Sequence, residues 1–169
     1  MSKTVLMVDF FRTEDEQRRS EFLACLLRNS QCELIDEIIV FVQLQELKYF
    51  QADLQGLPFS KIQQRKKIKI NPQRPGYRST YADMFIYYNS FLKGNTCIIA
   101  NNDIYFNDTL KHIEDMGEKD FLCLSRINES EDGTIDDRDI NPMSQDVWIF
   151  KSVIPTDMSV LHVSRNCWL

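Results

Sequence analysis

Apolar and polar positions alternate between two periods along the chain. "TVLMVDFF" (Thr4–Phe11) is apolar nearly throughout, which predicts a strand buried on both faces. "RTEDEQRRSEFLACLLRNS" then carries Phe22, Leu23, Leu26 and Leu27 at helical spacing, with Thr13 and Glu16 as a capping box. "LIDEIIVFVQ" holds a second strand over Glu37–Val42, completing a strand–helix–strand unit. "LQELKYFQADLQGL" predicts a short helix ending near Gly56. "RKKIKI" (Arg65–Ile70) alternates like a third strand, and "NPQRPGYRS" is loop by composition. "TYADMFIYYNSFLKG" is the clearest helix: Thr80 and Asp83 form a capping box and Gly94 can end it. Its stripe of Tyr81, Met84, Phe85, Tyr88, Phe91 and Leu92 reads as core.

"NTCIIA" is the next strand, and "NDTLKHIEDMG" the next helix, with Asn107 or Asp108 as cap. "DFLCLSRI" and "DVWIFKSVI" are two further strands, joined by the acidic loop "NESEDGTIDDRDINPMSQ". The tail "PTDMSVLHVSRNCWL" follows neither period. Strands alternating with helices predict an α/β, Rossmann-like architecture, a mostly parallel sheet with helices on both faces. The last two strands lack a helix between them, so one antiparallel strand is expected near the C-terminus.

Composition narrows the class. The 169 residues suit a single domain, and 43% hydrophobic with 27% charged residues is the balance of an ordinary soluble protein. No apolar run reaches the length of a membrane span, and "MSKTVLMVDFF" is not a signal peptide. The net charge of −5 argues against general nucleic-acid binding. The five cysteines form no C-x-x-C pair, and the two histidines complete no zinc spacing. Buried, reduced thiols in the cytoplasm are expected.

Ligands of open α/β sheets bind beyond the carboxyl ends of the strands. The first strand ends at Asp9 with Arg12 close by, the second at Gln43, and the fourth at Asn101, Asn102 and Asp103. Aspartate oxygen suits Mg²⁺ or Mn²⁺, which keeps several waters and needs only one or two carboxylates besides substrate phosphates. Asp103 is the candidate ligand. An Asx turn is the alternative for "NND", although Asn107 and Asp108 already serve the following helix. Arg78 before the Thr80 helix suits a phosphate as well as it suits a solvated loop. Ser144, Gln145 and Asp146 precede the last strand, where an aspartate can bind sugar hydroxyls or act as a base, or simply turn the chain. "NESEDGTIDDRD" (Asn128–Asp139) partly fits an EF-hand loop, but its strand-like and proline-containing flanks favour an acidic loop.

The run "RSTYADMFIYYNSFLKGNTCIIANNDIYF" resembles GT-A glycosyltransferases, which show a basic residue, a helix with an asparagine near its end, a glycine, an apolar strand and a D-x-D-type motif. Arg78, Asn89, Gly94, "CIIA" and "NND" take those places. With "SQDVWIFKS" added, the chain is similar to short glycosyltransferase-like proteins of bacteria and large DNA viruses. The resemblance is dense over Arg78–Ser152 and thin before it. It implies a metal-dependent glycosyltransferase, or its donor-binding domain, acting on a nucleotide-diphosphate sugar and a hydroxyl acceptor. Asp103 then binds Mn²⁺ or Mg²⁺, Asn101 and Asn102 complete the motif, and Asp9 with its neighbour Phe10 holds base and ribose. Arg78 lies near the diphosphate, and Gln145 and Asp146 face the donor sugar, with Asp146 the catalytic candidate. Such enzymes continue into an acceptor-binding segment where this chain has "LHVSRNCWL", so an excised domain, a truncated product and a minimal enzyme all remain open. A non-catalytic binding module and a Mg²⁺-dependent phosphatase or nucleotidyltransferase are the alternatives. "DFF" lacks the D-x-D of an aspartyl-phosphate phosphatase, and "FFRTEDE" lacks the glycines of a nucleotidyltransferase loop.

Overall fold

The computed structural model describes residues 2–130, 133–136 and 145–155. Its strands are β1 (Thr4–Phe10), β2 (Glu37–Gln43), β3 (Ile68–Gln73), β4 (Thr96–Ala100), β5 (Phe121–Leu124), β6 (Asn128–Glu129), β7 (Ile135–Asp136) and β8 (Val147–Phe150). Six of them form one sheet in the order β3-β2-β1-β4-β8-β5, while β6 and β7 make a small separate ribbon. β1 to β4 run parallel, and β8 is antiparallel to both β4 and β5. This is the expected α/β architecture, with the antiparallel strand inserted near the C-terminus rather than added at the edge.

Helices cover both faces because the central strands are apolar on both. On one face α1 (Glu16–Gln31) and α2 (Leu47–Gly56) bury Phe22, Leu26, Phe50 and Leu54 against Leu6, Val8, Phe10, Val40 and Ile98. On the other, α4 (Tyr81–Tyr87) and the wider π turn after it bury Met84, Phe85, Tyr88 and Leu92 against Val5, Met7, Phe41 and Ile99. Side chains alternate along each strand, so neighbouring residues serve opposite cores.

Several expectations are corrected by the packing. Asp15, not Thr13, caps α1: its Oδ1 accepts from the N–H groups of Gln17 (3.0 Å) and Arg18 (3.1 Å). A carboxylate there also complements the helix dipole. The shift matters because it places Arg18 in the first turn. "RKKIKI" is not one strand: Arg65–Lys67 end the short helix α3 (Ile62–Lys67), where basic side chains suit a helix C-terminus, and β3 begins at Ile68. β3 then runs through "NPQ", which composition placed in a loop. Among the described residues it pairs only with β2, and a proline is tolerated on such an edge strand. Phe91 is 72% exposed rather than core, because the π turn over Tyr88–Leu92 changes the helical phase and turns it off the stripe. "NDTLKHIEDMG" forms a 3-10 helix, Asp108–Asp115, capped by Asn107. Cys25 and Cys97 are buried, but Cys123 is exposed on the outermost strand β5. Two pieces of the acidic loop itself, Asn128–Glu129 and Ile135–Asp136, pair as the β6–β7 ribbon, whereas Asp132, Asp139, Ser144 and His162 lie outside the described residues. Among the described residues no helix is long and apolar enough to cross a membrane.

Candidate functional site

The sheet order reverses between β1 and β4: the chain leaves β1 towards β2 and β3 and returns to β4 on the other side. Such a switch point leaves a crevice beyond the strand ends. The pairing of β1 with β4 extends to Met7↔Ile99, so Asp9 and Asn101 each lie just past it. They border a cavity of about 310 Å³.

Asp9 faces this cavity because it shares the side of Met7, whereas Phe10 points into the opposite core. Arg78 donates to Asp9 Oδ2 from Nε (3.0 Å) and Nη2 (2.9 Å), and its guanidinium lies 3.9 Å from the centre of the Phe11 ring. Burial pushes the Asp9 carboxyl above its ordinary value, and the charge of Arg78 opposes the rise without cancelling it. The capping box of α4 holds the segment that carries Arg78. Thr80 Oγ1 accepts from the Asp83 N–H (3.2 Å), and Asp83 Oδ2 accepts from the Thr80 N–H (2.7 Å) and the Tyr77 hydroxyl (2.6 Å). Burial alone would raise the Asp83 carboxyl, but the hydrogen bonds from Tyr77 and Thr80 outweigh it and lower it.

At the end of β4, the Asn101 N–H donates to the Asp146 carbonyl (3.3 Å) and Asn101 Nδ2 to Asp146 Oδ1 (3.2 Å). The antiparallel course of β8 makes this contact, since it returns the start of β8 to the end of β4. The Ile104 N–H then donates to the Asn101 carbonyl (3.2 Å), which closes a turn with Asn102 and Asp103 inside it. Asp103 Oδ2 accepts from Arg18 Nη2 at 2.7 Å, and Arg126 Nη1 stands at 3.6 Å. The segment after Arg126 is tied down by Glu129, which bonds Arg28 of α1 (2.5 Å) and the Tyr105 hydroxyl. Beyond the turn, Asn29 of α1 donates from Nδ2 to the Ile104 carbonyl (2.8 Å) and accepts at Oδ1 from the Phe106 N–H (3.0 Å).

Asp9, Arg78, Asn101, Asn102 and Asp103 therefore line one cavity, and Asp146 backs it through Asn101. Phe10, Arg12, Gln43 and Gln145 do not line it. Phe10 packs on Phe22 and Phe50 in the core. Arg12 turns into a neighbouring hollow, over the Tyr49 ring at 4.3 Å. Gln43 is buried and bonds Gln45 (3.2 Å), and Gln145 is exposed. Sequence reasoning missed Arg18, Arg126 and Tyr81 on the cavity wall and Asn29 behind it. For Arg18 a signal existed, since Asp15 competes with Thr13 as cap. For Asn29 it was a polar residue on an otherwise apolar helical face.

The buried side-chain polar atoms without a partner among the described residues are Ser79 Oγ, Asn102 Nδ2, Asp103 Oδ1 and Trp148 Nε1. Asn102 and Asp103 line the cavity, Ser79 follows Arg78, and Trp148 packs on Tyr81 with ring centroids 4.0 Å apart. Such atoms are uncommon in native structures, and two of the four belong to residues that line the cavity. In this arrangement Asp103 does not present an open oxygen to a divalent cation. The exposed carboxylate oxygen of Asp103 is taken by Arg18, and its unpartnered oxygen is closed to solvent. Asp9 is held by Arg78, and Asn101 supplies no charge. Around the cavity, Asp9 and Asp103 face the guanidiniums of Arg18, Arg78 and Arg126, and Glu21 takes Nη1 of Arg18 at 2.8 Å. No group of three or more His, Cys, Asp or Glu among the described residues is placed to hold a metal ion.

No family model matches the chain, and no curated protein matches it. Among solved structures, 4-diphosphocytidyl-2C-methyl-D-erythritol synthase from Anaerococcus prevotii is similar at 12% identity and a TM-score of 0.53, with 89% of this chain and 70% of that chain covered. HddC from Yersinia pseudotuberculosis aligns over 89% of this chain and 74% of that chain at 12% identity, with a TM-score of 0.42 that carries no argument. At 12% identity the first likeness establishes a shared fold, and the chain is an α/β protein of the sheet architecture found in that synthase.

Proposed function

We propose that the chain binds a nucleotide-diphosphate sugar in the crevice between β1 and β4 and transfers the sugar to a hydroxyl acceptor in a reducing, cytoplasmic setting. One observation carries this reading. The Asp9–Arg78 pair, the Asn101–Asp103 turn and Asp146 converge on one cavity lined by three guanidiniums, and its surroundings hold the unpartnered polar atoms. Asp9 and Phe11 receive the nucleoside end, and Arg78 the diphosphate. Asn101 and Asn102 border the donor along the cavity wall. Asp146 faces the sugar or takes the proton of the acceptor hydroxyl as the glycosidic bond forms and the nucleoside diphosphate leaves.

Nucleotidyl transfer is the second reading, favoured by the fold shared with the cytidylyl-compound synthase. Against it, the β1–α1 link "FRTED" has no glycine for close backbone approach to a triphosphate. A thermal-shift screen of nucleotide sugars tests the binding step. A ligand at one hundred times its Kd stabilises by about 2.7 kcal/mol, which raises the melting temperature of a chain this size by roughly 5–10 °C. Product analysis separates the two reactions, because glycosyl transfer or donor hydrolysis releases nucleoside diphosphate and nucleotidyl transfer releases pyrophosphate. Asp146→Asn should retain donor binding and lower turnover by about 100-fold or more. Pyrophosphate as the product, or no shift with any nucleotide sugar, would overturn the proposal.

A further inference from the structure

We infer that Arg18, Arg78 and Arg126 bind the diphosphate directly and serve in place of a divalent cation. This inference rests on the diphosphate reading above and deepens it. The guanidiniums come from three separate parts of the chain: the first turn of α1, the loop before α4, and the segment after β5. Each is about half exposed, at 46%, 56% and 46% for Arg18, Arg78 and Arg126, so their charged heads reach the cavity. Arg18 and Arg126 converge on the same oxygen, Asp103 Oδ2, at 2.7 and 3.6 Å. The longer separation is not a hydrogen bond, and it leaves Arg126 held near the site by charge.

This arrangement inverts the role of Asp103. Its carboxylate is mostly closed off and anchors two arginines at the cavity mouth, instead of presenting open oxygens to a metal. Asp9 does the same for Arg78 through two bonds to one oxygen. Arg78, held by one edge, still offers donors on another, and its planar fork matches phosphate oxygens in pairs. Arg18 is held at Nη2 by Asp103 and at Nη1 by Glu21 (2.8 Å), the latter an exposed i,i+3 pair that a phosphate can displace. With Asp9, Asp103 and Glu21 each paired to one of these guanidiniums, the wall gains net positive charge for a dianionic diphosphate when the half-exposed Glu21 gives up its edge of Arg18. Arginine neutralises leaving-group charge without a coordination shell, so Asn101 in place of a charged residue is no defect.

The test is calorimetry of the whole chain with UDP, GDP, CDP and inorganic pyrophosphate, in EDTA and in Mn²⁺. The expected result is the same affinity under both conditions, within about twofold, with binding that weakens as salt rises. Arg18→Gln and Arg126→Ala should each weaken binding by about tenfold or more, while Asp103→Asn still binds in EDTA. Arg126 makes no close bond to Asp103, so its variant should remain folded, and a thermal melt checks this. Binding only with Mn²⁺, or unchanged affinity in both arginine variants, would overturn the inference and leave the nucleotide reading standing. Pyrophosphate bound in EDTA with no nucleoside diphosphate bound would sustain the arginine cradle and overturn the nucleotide reading. No binding of any of these anions under either condition would overturn both.

Discussion

Asn29→Ala tests whether the geometry of the 101–103 turn is set from behind by α1. Asn29 is 2% exposed, and its amide grips the segment after Asp103 from both ends, at the Ile104 carbonyl and the Phe106 N–H. Truncation removes both partners and leaves both backbone groups beside the apolar core. An unsatisfied buried group costs about 1–3 kcal/mol. Ile104 and Phe106 are only half-buried, so water offsets part of that cost. The expected loss is about 2–4 kcal/mol, or a melting temperature lower by roughly 4–16 °C. Urea denaturation should show a lower midpoint with an unchanged slope, because the surface exposed on unfolding is nearly the same. Asn29→Asp should be worse: it keeps the acceptor for Phe106, loses the donor to Ile104, and buries a charge. The same variants should weaken anion binding, since the turn carrying Asn102 and Asp103 is no longer held. A loss under about 1 kcal/mol with unchanged binding would refute the reasoning, because it would mean the turn holds itself.

Two further predictions concern the support of Arg78 and the thiols. Thr80→Ala should cost about 1 kcal/mol by removing the cap of α4. Asp83 lies below its unfolded carboxylate value, so its contribution is present above that value and is lost as pH falls through the lower folded one. Asp83→Asn should therefore flatten the acid limb of a stability-against-pH curve, and an unchanged limb would count against the pairing. Burial, followed by the charge of Asp103, pushes the Cys25 thiol up to about 11, and Cys97 is raised well above its ordinary value by full burial. Iodoacetamide at neutral pH should modify exposed Cys123 in the native protein and spare Cys25 and Cys97. Modified Cys97 in a native digest would contradict the packing.

Local pattern was enough for the order of elements. Caps, apolar runs and helical stripes act over a few residues, so β1, β2, β4, the box at Thr80 and Asp83, and the cap at Asn107 were all legible. So was the antiparallel strand, from the missing helix between the last two strands. Strand ends also identified Asp9 and the Asn101–Asp103 turn as the place to look. Misreadings arose where context outweighs pattern: the edge position that admits Pro72, the π turn that exposes Phe91, and the opposite-face parity that sends Phe10 into the core.

Only the tertiary structure decided what the site can hold. Arg18 meets Asp103 across 85 positions of the chain, and Arg78 meets Asp9 across 69. No spacing rule reaches that far, because those contacts depend on sheet order and on the rotation of α1 set by its cap at Asp15. The residues of "NND" were legible as a strand end, while the charges that meet Asp103 there, Arg18 and Arg126, come from other elements. Sequence determines which groups are available. Their charge balance is a sum over neighbours in space, and folding alone brings those neighbours together.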